Sequence, residues 1–114
     1  MSSKNRHMMS SVKEIKGVLH RGQHFKKKYL KFIYIADTKP NPKFKLLVSV
    51  PKKIIKLAVQ RNLIKRRIKA FYFSKKEVNE LNIKVIIIYT HSKPVKYLKL
   101  EKDMLSFEKL ILNT

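Results

Sequence analysis

The chain has 114 residues, enough for one domain with a modest core and too few for two. Its hydrophobic content of 44% is that of a folded protein, but 28 Lys and Arg stand against 7 Asp and Glu, a formal charge of +21. Such an excess opposes compaction and is relieved most naturally by a polyanion. The absence of cysteine excludes disulfides and thiolate metal sites and fits a reducing, cytoplasmic setting. No apolar run approaches the roughly 18 residues of a membrane helix.

Residues 1–10 are polar and basic, lack the apolar centre of a signal peptide, and are expected to be a flexible lead into a single domain over 1–114. A short helix is predicted over 11–21, where Val12, Ile15, Val18 and Leu19 recur at helical spacing, Ser10 or Ser11 can cap, and Gly22 serves as the stop. Residues 29–36, rich in β-branched and aromatic side chains, read as a strand. Lys39-Pro40-Asn41-Pro42 is a turn, and 44–50 a second strand that Pro51, with no N–H to donate, brings to an end. A long helix follows over about 55–73. Residues 83–89 are nearly all apolar, as in a strand buried on both faces. After a turn at 91–94, a last amphipathic helix spans 98–112 on Leu98, Met104 or Leu105, and Leu112. The order is helix, two strands, helix, strand, helix.

Charge placement matters more than its total, because 23 Lys against 5 Arg and abundant Ile can follow from an A/T-rich genome. Between Asp37 and Glu77 there is no carboxylate, and the interval holds thirteen Lys or Arg. At about 100° per residue, Leu57, Ile64, Ile68 and Phe71 form an apolar stripe on the long helix, with Tyr72 at its edge. Asn62, Lys65, Arg66 and Lys69 fall on another side together with the small Ala58. Arg61 lies between the two faces, its stem able to pack and its guanidinium to reach out. A merely solvated face usually mixes signs and gains from Glu–Lys pairs one turn apart. This one has no acid, so its like charges are unfavourable without an anion. Lys52, Lys53 and Lys56 extend the same surface near the positive end of the helix dipole.

Ser49-Val50-Pro51-Lys52-Lys53, followed by Ala58-Val59-Gln60-Arg61-Asn62-Leu63-Ile64-Lys65-Arg66-Arg67-Ile68, resembles the signature of the protein subunit of bacterial ribonuclease P. The resemblance is tight over about twenty residues and loose elsewhere, where element order and length agree. It implies an α/β sandwich: a small mixed sheet with three helices and a left-handed βαβ crossover, whereas general chain sterics favour the right-handed form. It implies an RNA-binding subunit that assists a catalytic RNA in removing the 5′ leader of precursor tRNA, so that the endoribonuclease chemistry and its Mg2+ belong mainly to the RNA. Lys52, Lys53, Lys56, Arg61, Asn62, Lys65, Arg66 and Lys69 are then the expected RNA contacts. Ile15 and Leu19 stand where the family usually has aromatics lining a leader cleft, and Ile33 or Tyr34 is expected to join them, according to strand register. Leu63 replaces a second arginine, and Ile55 stands where many relatives have glycine.

Three other readings fit the residues less well. A self-sufficient nuclease needs clustered carboxylates for metal ions, but five of the seven acids lie from Glu77 onward, and His7, His20, His24 and His91 are scattered. A ribosomal-protein-like RNA binder without a processing role shares the charge and size but not the signature from Ser49 to Ile68. A DNA-binding or membrane-surface protein lacks, respectively, a helix-turn-helix pair and an exposed apolar face on the basic helix.

Overall fold

The computed structural model describes Met9, residues 11–37 and residues 44–113. The expected turn at 39–42 and nearly all of the lead at 1–10 fall outside them. Eight elements follow in order: α1 (Val12–Arg21), β1 (Gln23–Lys26), β2 (Leu30–Ala36), β3 (Lys45–Ser49), α2 (Ala58–Phe73), α3 (Lys76–Asn79), β4 (Ile83–Tyr89) and α4 (Tyr97–Leu112). The periodic segments form the expected elements, while β1 and the short α3 are additions. Neither carries a periodic signal: β1 is Gln-His-Phe-Lys with only Phe25 half-buried, and α3 buries Val78 alone.

The strands form one mixed sheet in the order β1-β2-β4-β3, with β1/β2 and β2/β4 antiparallel and β3/β4 parallel. Its inner strand β4 is apolar except for Lys84, because both of its faces are covered. Val85, Ile87 and Tyr89 enter the main core on one side, and Ile86 enters a smaller cluster on the other.

The main core lies under α2 and α4 and is built from aromatic rings. Phe32 of β2 stacks on Phe107 of α4 with centroids 4.3 Å apart and planes 10° apart, and Tyr72 of α2 meets Phe107 edge-on at 6.3 Å. Helix α4 turns Leu100, Asp103, Met104, Phe107 and Ile111 inward, a 3–4 residue spacing. Leu98, expected on this stripe, is 71% exposed, and of Met104 and Leu105 it is Met104 that is buried. The stripe is one residue out of phase with the sequence reading because it includes a carboxylate. Asp103, only 5% exposed, accepts the backbone N–H of Tyr29 at 2.8 Å and of Leu30 at 3.2 Å. Two charge-assisted bonds to otherwise unpaired strand-end donors offset its desolvation.

The second face carries one helix. Val18 of α1 packs on Ile33 and Ile86 with Met9, while Val12 and Leu19 are left exposed. Ser11 caps α1 by accepting the Glu14 N–H. Gly22 ends the helix, but not through left-handed backbone, since its φ is −74° and its ψ 159°. Glycine is required by proximity: a Cβ here would lie 2.5 Å from the Val18 carbonyl oxygen and 2.9 Å from Ile33 Cγ2.

Candidate nucleic-acid interface

Helix α2 begins three residues later than the sequence suggests, and the loop before it explains why. Ile55 is buried at the edge of the main core, and the amides of Ile54 and Ile55 both return to the Pro51 carbonyl at 3.1 Å. The chain is thus folded into a tight loop between β3 and α2, which leaves Lys52, Lys53 and Lys56 exposed. Ile55 therefore acts as a plug rather than a bare backbone approach. Leu57, assigned to the buried stripe from its helical phase, is instead the N-cap residue and 62% exposed. That stripe consists of Ile68 and Tyr72, with Ile64 and Phe71 half-buried beside them.

Arg61 also differs from expectation. Its Nη1 donates to the carbonyls of Ile55 (2.9 Å) and Lys56 (2.8 Å), so its first role is to close the lysine loop onto the helix. The guanidinium has five N–H donors in all, so this use does not exhaust it.

The rest of α2 divides into three sides. The inner side is fastened by the Tyr72 hydroxyl, which donates to the Met104 carbonyl at 2.8 Å; burial, then Glu108, Tyr97 and Asp103, push its pKa far above the ordinary tyrosine value. The side toward α4 carries Gln60, Ile64 and Arg67, which with Tyr97 and Leu100 line a cavity of about 200 Å³. Arg67 lies 5.6 Å over the Tyr97 ring. The remaining side carries Asn62 and Arg66, exposed, and Lys65 and Lys69, half-buried. Because α2 lies over the edge strand β3 and α4 over β2, this flank faces outward past the sheet edge. Among the described residues the ion pairs are Lys45–Glu14, Lys84–Glu14 and Lys75–Glu108, none of which neutralises α2. The structure thus brings Lys52, Lys53, Lys56, Asn62, Lys65, Arg66 and Lys69 onto one connected, acid-free surface, with Arg61 at its hinge.

The four residues expected to line a cleft separate. Ile33 lies under α1, and Ile15 packs at the edge of the same cluster. Leu19, one turn beyond Ile15, is 42% exposed. Tyr34 projects from the opposite face, where its ring meets Phe107 at 5.4 Å and its hydroxyl donates to Gln23 Oε1 at 3.0 Å. The register thus decides between the two candidates: Ile33 is on the α1 side and Tyr34 is not. On that side α1 covers only part of the sheet, and Leu47 and Ile88 remain half-buried beyond it.

What holds α1 in place is a group the sequence reading did not single out. Glu14 Oε2 lies 3.0 Å from both Lys45 Nζ and Lys84 Nζ, which face each other across β3 and β4. Burial tends to raise the Glu14 pKa, but the hydrogen bonds and charges of Lys84 and Lys45 outweigh it and hold the carboxyl below its ordinary 4.5. This bridge closes one wall of a cavity of about 530 Å³, also lined by Gly17, Arg21 and Ile35. Among the described residues no group of three His, Asp or Glu side chains is placed to hold a metal, and no helix is long and apolar enough to cross a membrane.

Comparison with known proteins places this geometry. The sequence matches the family described as Ribonuclease P over residues 3–111. No curated protein sequence matches the chain. Among solved structures, the fold is similar to that of the Staphylococcus aureus RNase P protein, with a TM-score of 0.77 at 22% identity, covering 92% of this chain and 94% of that one. A second structure of the S. aureus protein gives 0.70 at 19% identity over 98% and 94%. The Thermotoga maritima RNase P protein gives 0.58 at 18% identity over 88% and 86%.

Proposed function

The chain belongs to the ribonuclease P protein family, and we propose that it docks the catalytic RNA on the outward flank of α2 and holds the 5′ leader of precursor tRNA on the open part of the α1 face. As the protein subunit of ribonuclease P it acts in tRNA processing with an RNA partner, and the family match does not favour a ribosomal-type binder. In this reading hydrolysis is carried by the RNA subunit with its Mg2+, in the cytoplasm, and the protein supplies binding energy and position.

The observation that carries the reading is the acid-free flank of α2 joined to the lysine loop. Lys65 and Lys69, one turn apart, repel each other on an uncovered surface, a cost that a phosphate backbone converts into attraction. Asn62 adds a neutral donor between the charges. Arg61 keeps Lys52, Lys53 and Lys56 beside the helix start, so that the surface meets RNA with little ordering left to do. On the other face, half-buried Ile15, Leu47 and Ile88 provide an apolar wall and floor against which leader bases can lie, while Ile33 is sealed beneath α1.

The test is reconstitution with the cognate catalytic RNA at low magnesium. Addition of the protein should raise cleavage of precursor tRNA, and no stimulation would overturn the reading. Replacing Arg66 and Lys69 with Ala should weaken RNA affinity and flatten its salt dependence by about 0.7–0.9 log units per lost phosphate contact. An unchanged slope would return this flank to ordinary solvated surface.

A further inference from the structure

Two pairs of lysines stand directly opposite one another on the α1 side of the sheet. Lys45 and Lys84 do so across β3 and β4, and Lys26 and Lys31 across β1 and β2. Like charges directly opposite on a sheet are destabilising. The first pair contains its own remedy, since Glu14 bridges both ammonium groups at 3.0 Å. The second has none. Neither Lys26 nor Lys31 forms an ion pair among the described residues, although all seven Asp and Glu lie within them.

The surroundings of the second pair deepen the contrast. Segments 26–31, 50–57 and 90–96 meet at one end of the sheet, where β2 begins and β3 and β4 finish; Leu30 pairs with Tyr89, and Ser49 with Ile88. None of the three segments contains a carboxylate. The buried Asp103 beneath them is committed to the Tyr29 and Leu30 amides. In the turn, Lys27 and Lys28 lie 5.6 and 5.5 Å from the Phe25 and Tyr29 ring centres, which orders their stems and leaves their charges without a carboxylate partner. Asp37 and Glu80 belong to the opposite end of the sheet.

Position selects the ligand. Lys31 is opposite Ile88 in the register, so Lys26, Lys31, Ile88 and Ser49 form one row next to the apolar floor of the α1 face. Strand β4 separates this pair from β3, over whose edge the α2 flank opens from the other face. An RNA docked on α2 need not reach it, whereas a strand lying along the α1 face must pass it. We propose that Lys26 and Lys31, continued by Lys27 and Lys28, are a phosphate-binding subsite for the precursor leader where it leaves that face. The absent counterion of this pair is the leader backbone, as Glu14 is that of Lys45 and Lys84. The proposal rests on the reading that the leader lies on the α1 face.

The experiment compares reconstituted holoenzymes on precursor tRNAs with a short and a long leader. The variants are Lys26→Ala with Lys31→Ala, and separately Lys27→Ala with Lys28→Ala. Affinity for the long-leader precursor should fall severalfold while the short-leader precursor and the RNA subunit bind as before. The salt dependence for the long leader should flatten by about 0.7 log units per lost contact, the single-strand value. Equal loss on both precursors, a loss confined to the RNA subunit, or no change would each overturn the proposal. The free Lys26→Ala/Lys31→Ala protein should melt no lower than wild type, since its repulsion is relieved; a clear fall would make the pair structural and overturn it as well. Failure of the wild-type holoenzyme to gain from the protein at all would instead defeat the broader reading.

Discussion

The two faces of the sheet are built to different standards. One is sealed by α2 and α4 over stacked aromatic rings, with its polar groups either paired or aimed at a backbone donor. The other bears a single ten-residue helix, seated by one buried valine and one carboxylate bridging two lysines, with half-buried isoleucine and leucine beside it. The difference separates two tasks. Stability resides where apolar area and aromatic packing are concentrated, and the thinly covered face keeps the room in which the proposed leader would lie.

Substitutions can break that contrast or sharpen it. The largest effect is expected at Phe107, which touches Phe25, Phe32, Tyr34 and Tyr72. Phe107→Ala should cost about 3–5 kcal/mol, enough to unfold much of the population, as read by thermal or denaturant melting. Asp103→Ala should follow at about 1–3 kcal/mol, because it leaves two buried strand-end N–H groups without an acceptor. If it cost nothing, the sealed face would not depend on that carboxylate.

On the open face, Glu14→Gln should cost about 1 kcal/mol at neutral pH, between the range of exposed pairs and that of buried charged bonds. The pH dependence has a definite sign. A carboxyl held below its ordinary 4.5 in the folded state contributes fully above that value and loses its contribution as pH falls through the lowered one. The gap between wild type and Glu14→Gln should therefore close on acidification below 4.5. A gap that widened would contradict the bridge. The smallest stability effect belongs to Arg66→Ala with Lys69→Ala: the melting midpoint should stay put or rise slightly, while RNA affinity falls.

The readable parts of the molecule were those with a local period. Helices α1, α2 and α4 and strands β2, β3 and β4 show in apolar spacing because each buries one stripe or one face. The α2 surface shows because its cations are spaced one turn apart with no acid between them. Leu57 and Leu98 differ from expectation for separate reasons. Leu57 has the helical phase of a buried residue but is taken by the N-cap of α2, whereas Leu98 lies about 180° around α4 from the buried Phe107. Strand β1, with a single half-buried side chain, is a strand only because β2 is there to pair with it.

By itself, then, the sequence determined the element types, the charged flank of the basic helix and its family signature, since these depend on neighbours within one or two turns. The tertiary structure alone decided what depends on distant residues meeting. It set Ile33 under α1 and Tyr34 on the other face, since one step along a strand reverses the side. It turned Arg61 inward to the Ile55 and Lys56 carbonyls, which only the folded loop presents. Most of all, it gave one lysine pair a glutamate from another element and left the other pair without one, because a counterion across a sheet is a matter of register and no local spacing encodes it.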